Sequence, residues 1–273
     1  MSGLDGARPT VRAALPIRPR SAAVLGIASL AGLMMLGWPL LLDVPETARI
    51  DPPFIFLALL PLVIVVVLAE FSEGGMDARV LAVLGVLSAI NAVLRGLGAG
   101  VAGIELVFFL LILAGRVFGP AFGFVLGCTS LFASALMTGG VGPWLPFQML
   151  VSAWIGMGAG FLPRRLSGRV EVAALVVYGI VASYLFGILM NLSSWPFTLG
   201  IVVQGHEGSL SYVAGAPLLE NLHRFGVYTL LTSTGSWDTG RAITTSVALV
   251  VLGPAILTTL RRASKRSVIN RVS

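Results

Sequence analysis

The stretch Gly115–Pro163, GRVFGPAFGFVLGCTSLFASALMTGGVGPWLPFQMLVSAWIGMGAGFLP, decides how the rest of the chain is read. Its apolar runs predict two membrane-spanning helices, 120–139 and 145–162, joined by a tight Gly/Pro turn at Gly139–Pro146. Glycine recurs at Gly115, Gly119, Gly123 and Gly127, and this spacing predicts a smooth stripe on one helix face where a neighbouring backbone comes close. The turn, GGVGPWLPFQM, sets Trp144, Phe147 and Gln148 where a helix re-enters the bilayer. An aromatic pair with one amide suits a partly apolar ligand at the mouth of a bundle, and an interfacial aromatic belt accounts for Trp144 equally well.

Composition excludes an ordinary soluble domain. Of 273 residues 56% are hydrophobic and only 11% charged, which leaves too little polar surface to cover the molecule. A mean hydropathy of +0.95 agrees. The net charge of +6 does not point to nucleic acid, because the basic residues sit in short clusters between apolar runs, as a topology signal requires. The single cysteine, Cys128, lies inside an apolar run and builds neither a disulfide framework nor a metal cluster. The basic start, with Arg8, Arg12, Arg18 and Arg20, resembles a signal-peptide n-region, but the apolar run behind it is of full membrane length and is read as a first helix.

Apolar runs near 21–42, 53–71, 78–94, 103–118, 120–139, 145–162, 170–195 and 241–260 predict an all-α polytopic protein with eight transmembrane helices. With the N-terminus inside, all but four of the 18 Lys and Arg residues fall in inner segments, the exceptions being Arg49, Arg95, Arg224 and Arg241. Both termini are therefore expected in the cytoplasm of a multi-pass cell-membrane protein, flanked by a basic segment 1–20 and a basic tail 264–273. The first two helices, within 21–71, lack intramembrane polar groups and read as an accessory hairpin. A linker with Glu70, Glu73 and Asp77 separates them from a six-helix core.

Within that core, Ala78, Ala82, Gly85 and Ala89 line one side of the first helix as a close-packing surface. Asn91 on the same helix suits an interhelical hydrogen bond, and Glu105 suits a pair with Arg95 across the short loop. Tyr184, Asn191 and Trp195 recur at helical spacing and offer a stacking and hydrogen-bonding face. The outer segment 196–240 is long and reads as a lid, with APLLENLHRFGVYTLLTST as an amphipathic or re-entrant piece inside it. His206 and Glu207 lack a second spaced ligand pair, so no metal site is expected. Asp238 reads as the N-cap of the last helix.

At GPWLPFQM, then YGIVASYLFGILMNLSSWPF, then GSWDTGRAITTSVALVVLGPAILTTLRRA, the chain resembles the substrate-binding S components of energy-coupling factor (ECF) transporters, most of all the actinobacterial vitamin type. The likeness spans roughly Ala78 to Ala263, with the extra hairpin preceding it. It implies a six-helix core over 78–263, a vitamin site near the outer face, and docking on a membrane T component driven by a pair of ATP-binding cassette ATPases. The positions that match the family's docking stripe are Ala78, Ala82, Gly85 and Ala89. Those matching its ligand contacts are Trp144, Gln148, Tyr184, Asn191, Trp195 and Trp237.

The residues agree on the need for a partner. No GxxxxGK[ST] occurs and the sole lysine is Lys265, so the chain cannot cradle ATP in a P-loop. Charged residues inside the helices are too few for the ion relay of a secondary transporter. The expected function is substrate capture for an ATP-driven vitamin importer, without catalysis or a cofactor, the crowded outer aromatics suggesting cobalamin or a riboflavin-like ring. The competing readings are an autonomous carrier or channel and an intramembrane hydrolase. The latter requires paired carboxylates or a Ser/His arrangement at membrane depth, and the sequence shows neither.

Overall fold

In a bilayer every backbone polar group must find its partner within the protein, and apolar segments meet that demand as helices. The computed structural model, which describes residues 19–41, 62, 65, 78–98, 103–197 and 209–269, is helical throughout its regular elements. The helices run α1 (Pro19–Leu41), α2 (Ala78–Leu97), α3 (Val107–Phe118), α4 (Pro120–Thr138), α5 (Leu145–Phe161), α6 (Gly168–Ser194), α7 (Leu218–Thr229), α8 (Thr239–Val251) and α9 (Gly253–Ile269). A short 3-10 turn, Trp195–Phe197, ends α6, and a π-helical segment, Leu230–Asp238, joins α7 to α8. The expected second helix at 53–71, the acidic linker, and Gln204, His206 and Glu207 lie outside the described residues, apart from 62 and 65.

Among the described residues, Ala78–Leu97, Pro120–Thr138 and Gly168–Phe197 are long and apolar enough to cross a membrane, and Leu218–Val251 with Gly253–Lys265 makes a fourth if that bent pair is one span. The helix α3 is too short to cross alone, at about 1.5 Å per residue. It is instead the axle of the bundle: nearly every side chain from Val107 to Phe118 is buried, and α2, α4, α5, α6, α8 and α9 all pack around it. A helix apolar on all sides belongs in such a position. Leu81, Val86, Val177 and Val181, on α2 and α6, are exposed, as suits faces turned to lipid.

The glycine stripe is real but is not carried by one helix. The chain breaks at Gly119, whose φ of +100° only glycine adopts readily, and Pro120 then starts α4. Gly115 on α3 and Gly123 on α4 nevertheless converge on the same carbonyl, that of Gly156 on α5, and a Cβ on either would collide with it. Gly127 meets Ala153 in the same seam. Gly156→Ala is therefore expected to destabilise the protein by about 1–3 kcal/mol through overpacking. Thermal unfolding in detergent checks this against Gly85→Ala, whose added methyl meets nothing within 4 Å and should leave stability unchanged or raised.

The last span differs from the expected 241–260. Helix begins at Leu218, continues through the π segment to Val251, and turns by 66° before running on from Gly253. Much of the stretch 196–240 expected as a loop is thus helix. The reason lies in side-chain hydroxyls that satisfy the widened turn, Thr234 donating to the Thr229 carbonyl and Thr239 to that of Thr234. Asp238 consequently caps nothing. Its carboxylate accepts hydrogen bonds from Ser233 and Arg241.

Candidate functional site

Polar side chains at membrane depth gather where helices can share them. A seam of such pairs joins α2 to α4. Ser88 and Thr129 hydroxyls lie 2.7 Å apart, Asn91 donates to Ser130 at 3.0 Å, and Arg95 donates to Ser134 at 3.1 Å. The interhelical role expected for Asn91 is what the structure shows. The seam leads to the Glu105 end of the bundle, where Arg95 also donates to the Gln148 side-chain carbonyl at 2.8 Å.

The π segment delivers the second half of this end. It carries Arg241 into the bundle, where Nε meets the Glu105 carboxylate at 2.5 Å and a terminal nitrogen meets Asp238 at 2.9 Å. The guanidinium stacks on Phe186, 4.7 Å from the ring centre, with Phe108 at 5.6 Å. A cation–π contact of this kind holds a desolvated arginine in one orientation. Gly187 makes room for the arrangement, since a Cβ there would strike the Asp238 carboxylate. Gly103, with φ +72°, lets the loop before α3 lie against Gly240 and the Trp237 carbonyl. Glu105 is therefore matched to Arg241 on α8 rather than to Arg95, the pairing its short loop suggested.

Between these two halves lies a cavity of about 180 Å³. Its polar lining is Arg95, Glu105, Gln148, Ser152 and Arg241, and its apolar lining includes Phe108, Leu131, Phe186 and Met190. Ser152 is completely buried and its hydroxyl has no hydrogen-bond partner.

Of the six residues expected to hold a ligand, only Gln148 lines this cavity. Tyr184 is engaged with Thr239 at 2.9 Å. Trp195 is fully buried in a separate cluster with Leu192, Leu210 and Phe225, and its indole N–H donates to the Leu210 carbonyl at 2.8 Å. Trp144 is half-exposed and donates to the Gly140 carbonyl. Trp237 is 42% exposed, and the Asn191 amide nitrogen is buried without a partner. The residues missed were Arg241, Ser152, Phe108 and Phe186. Arg241 carries one sequence signal, as one of four basic residues outside the segments expected to face inward.

The comparison with known families settles what bundle this is. The family model for the ECF transporter substrate-specific component matches residues 79–263. The chain belongs to that family. No curated protein and no solved structure matches it. Members of this family are substrate-specific membrane subunits of a transporter, which gives this chain a role in small-molecule transport. The matched region begins within α2, and α1 lies before it in the chain. It is nonetheless fastened there, with the Trp154 indole on α5 donating to Ser29 on α1 at 2.8 Å.

Proposed function

We propose that this S component captures a vitamin-class solute in the cavity at the Glu105 end, that this end faces outward with both termini in the cytoplasm, and that a T component with two ATPases drives uptake. The observation that supports the reading is a cavity lined by Arg95, Glu105, Gln148 and Arg241, in a chain of a substrate-selecting family. Its volume of about 180 Å³ falls below the roughly 300–1,000 Å³ of drug-sized ligand pockets. That favours a small vitamin over cobalamin or a riboflavin-like ring, both of which need a wider hollow.

The docking surface in this reading is the stripe Ala78, Ala82, Gly85 and Ala89, all exposed on α2 while Val80, Leu84, Leu87 and Asn91 face the bundle. Gly85→Phe is expected to lower co-purification with the T component by about tenfold, a loss of about 1.4 kcal/mol, without changing ligand binding. The decisive experiment is reconstitution in liposomes. Accumulation should require the T component, both ATPases and ATP, and accumulation by the S component alone would overturn the proposal.

A further inference from the structure

We infer that the solute held in this cavity is a small monocarboxylate, its carboxylate seated on Arg95 and a hydroxyl or N–H at its other end directed to Glu105. The inference rests on the capture reading above and goes beyond it to the chemistry of the substrate.

The two arginines of the site are not equivalent. Arg241 is matched by two carboxylates, Glu105 and Asp238, and by the Ser183 carbonyl. Arg95 hydrogen-bonds to neutral groups, the Ser134 hydroxyl and the Gln148 side-chain carbonyl; among the described residues no carboxylate lies within ion-pair distance of it, and the Glu105 charge acts on it only from farther away. A guanidinium has five N–H donors, and these two contacts leave several unused. A partly buried cation with neutral partners carries a desolvation cost that an incoming anion offsets. Its planar fork fits a carboxylate through two parallel bonds.

The opposite wall sets the rest. Glu105 engages Arg241 through one oxygen, and its other oxygen is an acceptor for a donor on the solute. Ser152 on α5 also lies along the cavity lining. With Glu105 and Asp238 already in place, a second negative charge on the solute would be repelled, which favours a monoanion over a phosphate dianion. The remaining lining, Phe108, Leu131, Phe186 and Met190, accommodates a short apolar body.

The test uses the full chain in detergent, with binding measured by calorimetry to acids and their uncharged counterparts: pantothenate and pantothenol, biotin and biotinamide, nicotinate and nicotinamide. Native mass spectrometry of whatever co-purifies runs alongside. At least one acid, or a co-purified monocarboxylic acid, should bind about ten- to hundredfold tighter than its neutral partner, as expected for charge-assisted hydrogen bonds. Arg95→Gln should erase that ratio, and the wild-type ratio decides the matter even if this variant does not fold. A neutral or phosphorylated ligand, or equal binding of acid and amide, would overturn the carboxylate while leaving solute capture standing. If nothing binds and nothing co-purifies, both fall.

Discussion

Arg241→Met should destabilise this S component by about 3–5 kcal/mol and abolish solute binding, because it removes the cation that, among the described residues, answers a deeply buried carboxylate. Asp238 is 1% exposed and depends on Arg241 and Ser233 for its hydrogen bonds. Methionine keeps much of the packing against Phe108 and Phe186 but leaves Asp238 charged and unmatched. Loss of Arg241 also releases Glu105, which then turns to Arg95 and fills the anion position with a residue of the protein itself. Arg241→Met with Asp238→Asn should recover a large part of the stability, since a neutral amide tolerates the same pocket, but should recover no solute binding. Denaturation in detergent and calorimetry on the two variants separate these effects. A single variant that unfolds within about 1 kcal/mol of wild type would show that the cluster is solvated after all.

The helices that could be read from sequence were those whose apolar runs stand between charges or chain breakers. Those from 78 to 97, 120 to 138, 145 to 161 and 168 to 194 emerge within a few residues of the expected ends, because Pro120, the Gly139–Pro146 turn and the basic run Arg164–Arg169 punctuate them. The stretch 218–238 escaped that logic. The piece 216–234 reads as a short amphipathic or re-entrant segment within an outer loop, and it is helical from Leu218; its continuity with the last span does not show in the sequence, because only in the bundle do the hydroxyls return to backbone carbonyls and hold a widened helix together. The site failed to show for a related reason. Aromatic residues near predicted helix ends point to Trp144, Trp195 and Trp237, whereas the charged lining of the cavity joins Arg95 and Glu105, which the sequence already sets side by side across a short loop, to the distant Arg241. Periodicity ranks positions along one helix and carries nothing about which distant helix supplies the counter-charge. Only the pairing geometry distinguishes a cation already answered, Arg241, from one still open, Arg95.

At the opposite end of α3 the same physics closes the bundle instead of opening it, and there Glu171→Ala should cost about 3–5 kcal/mol. Glu171, 2% exposed, receives Arg116 from α3 at 2.7 Å and Arg261 from α9 at 2.6 Å. Arg116 also donates to the carbonyls of Leu162 and Leu166, just past the end of α5, so this one carboxylate neutralises a cation that ties three elements together. Without Glu171 the Arg116 guanidinium stays buried among carbonyls alone, and α9 loses its charged fastening after the 66° turn that follows α8. Leu257 and Leu260 still hold α9 by apolar contact, so the helix should loosen rather than detach. Amide hydrogen exchange should accordingly rise across 253–265 in Glu171→Ala while the solute cavity binds as before. The comparison is Glu220→Ala, which breaks the exposed Glu220–Arg224 pair one helical turn apart and should cost only about 0.3–0.5 kcal/mol. Equal losses in the two variants would mean that water reaches Glu171, and α9 would then be positioned by its leucines alone.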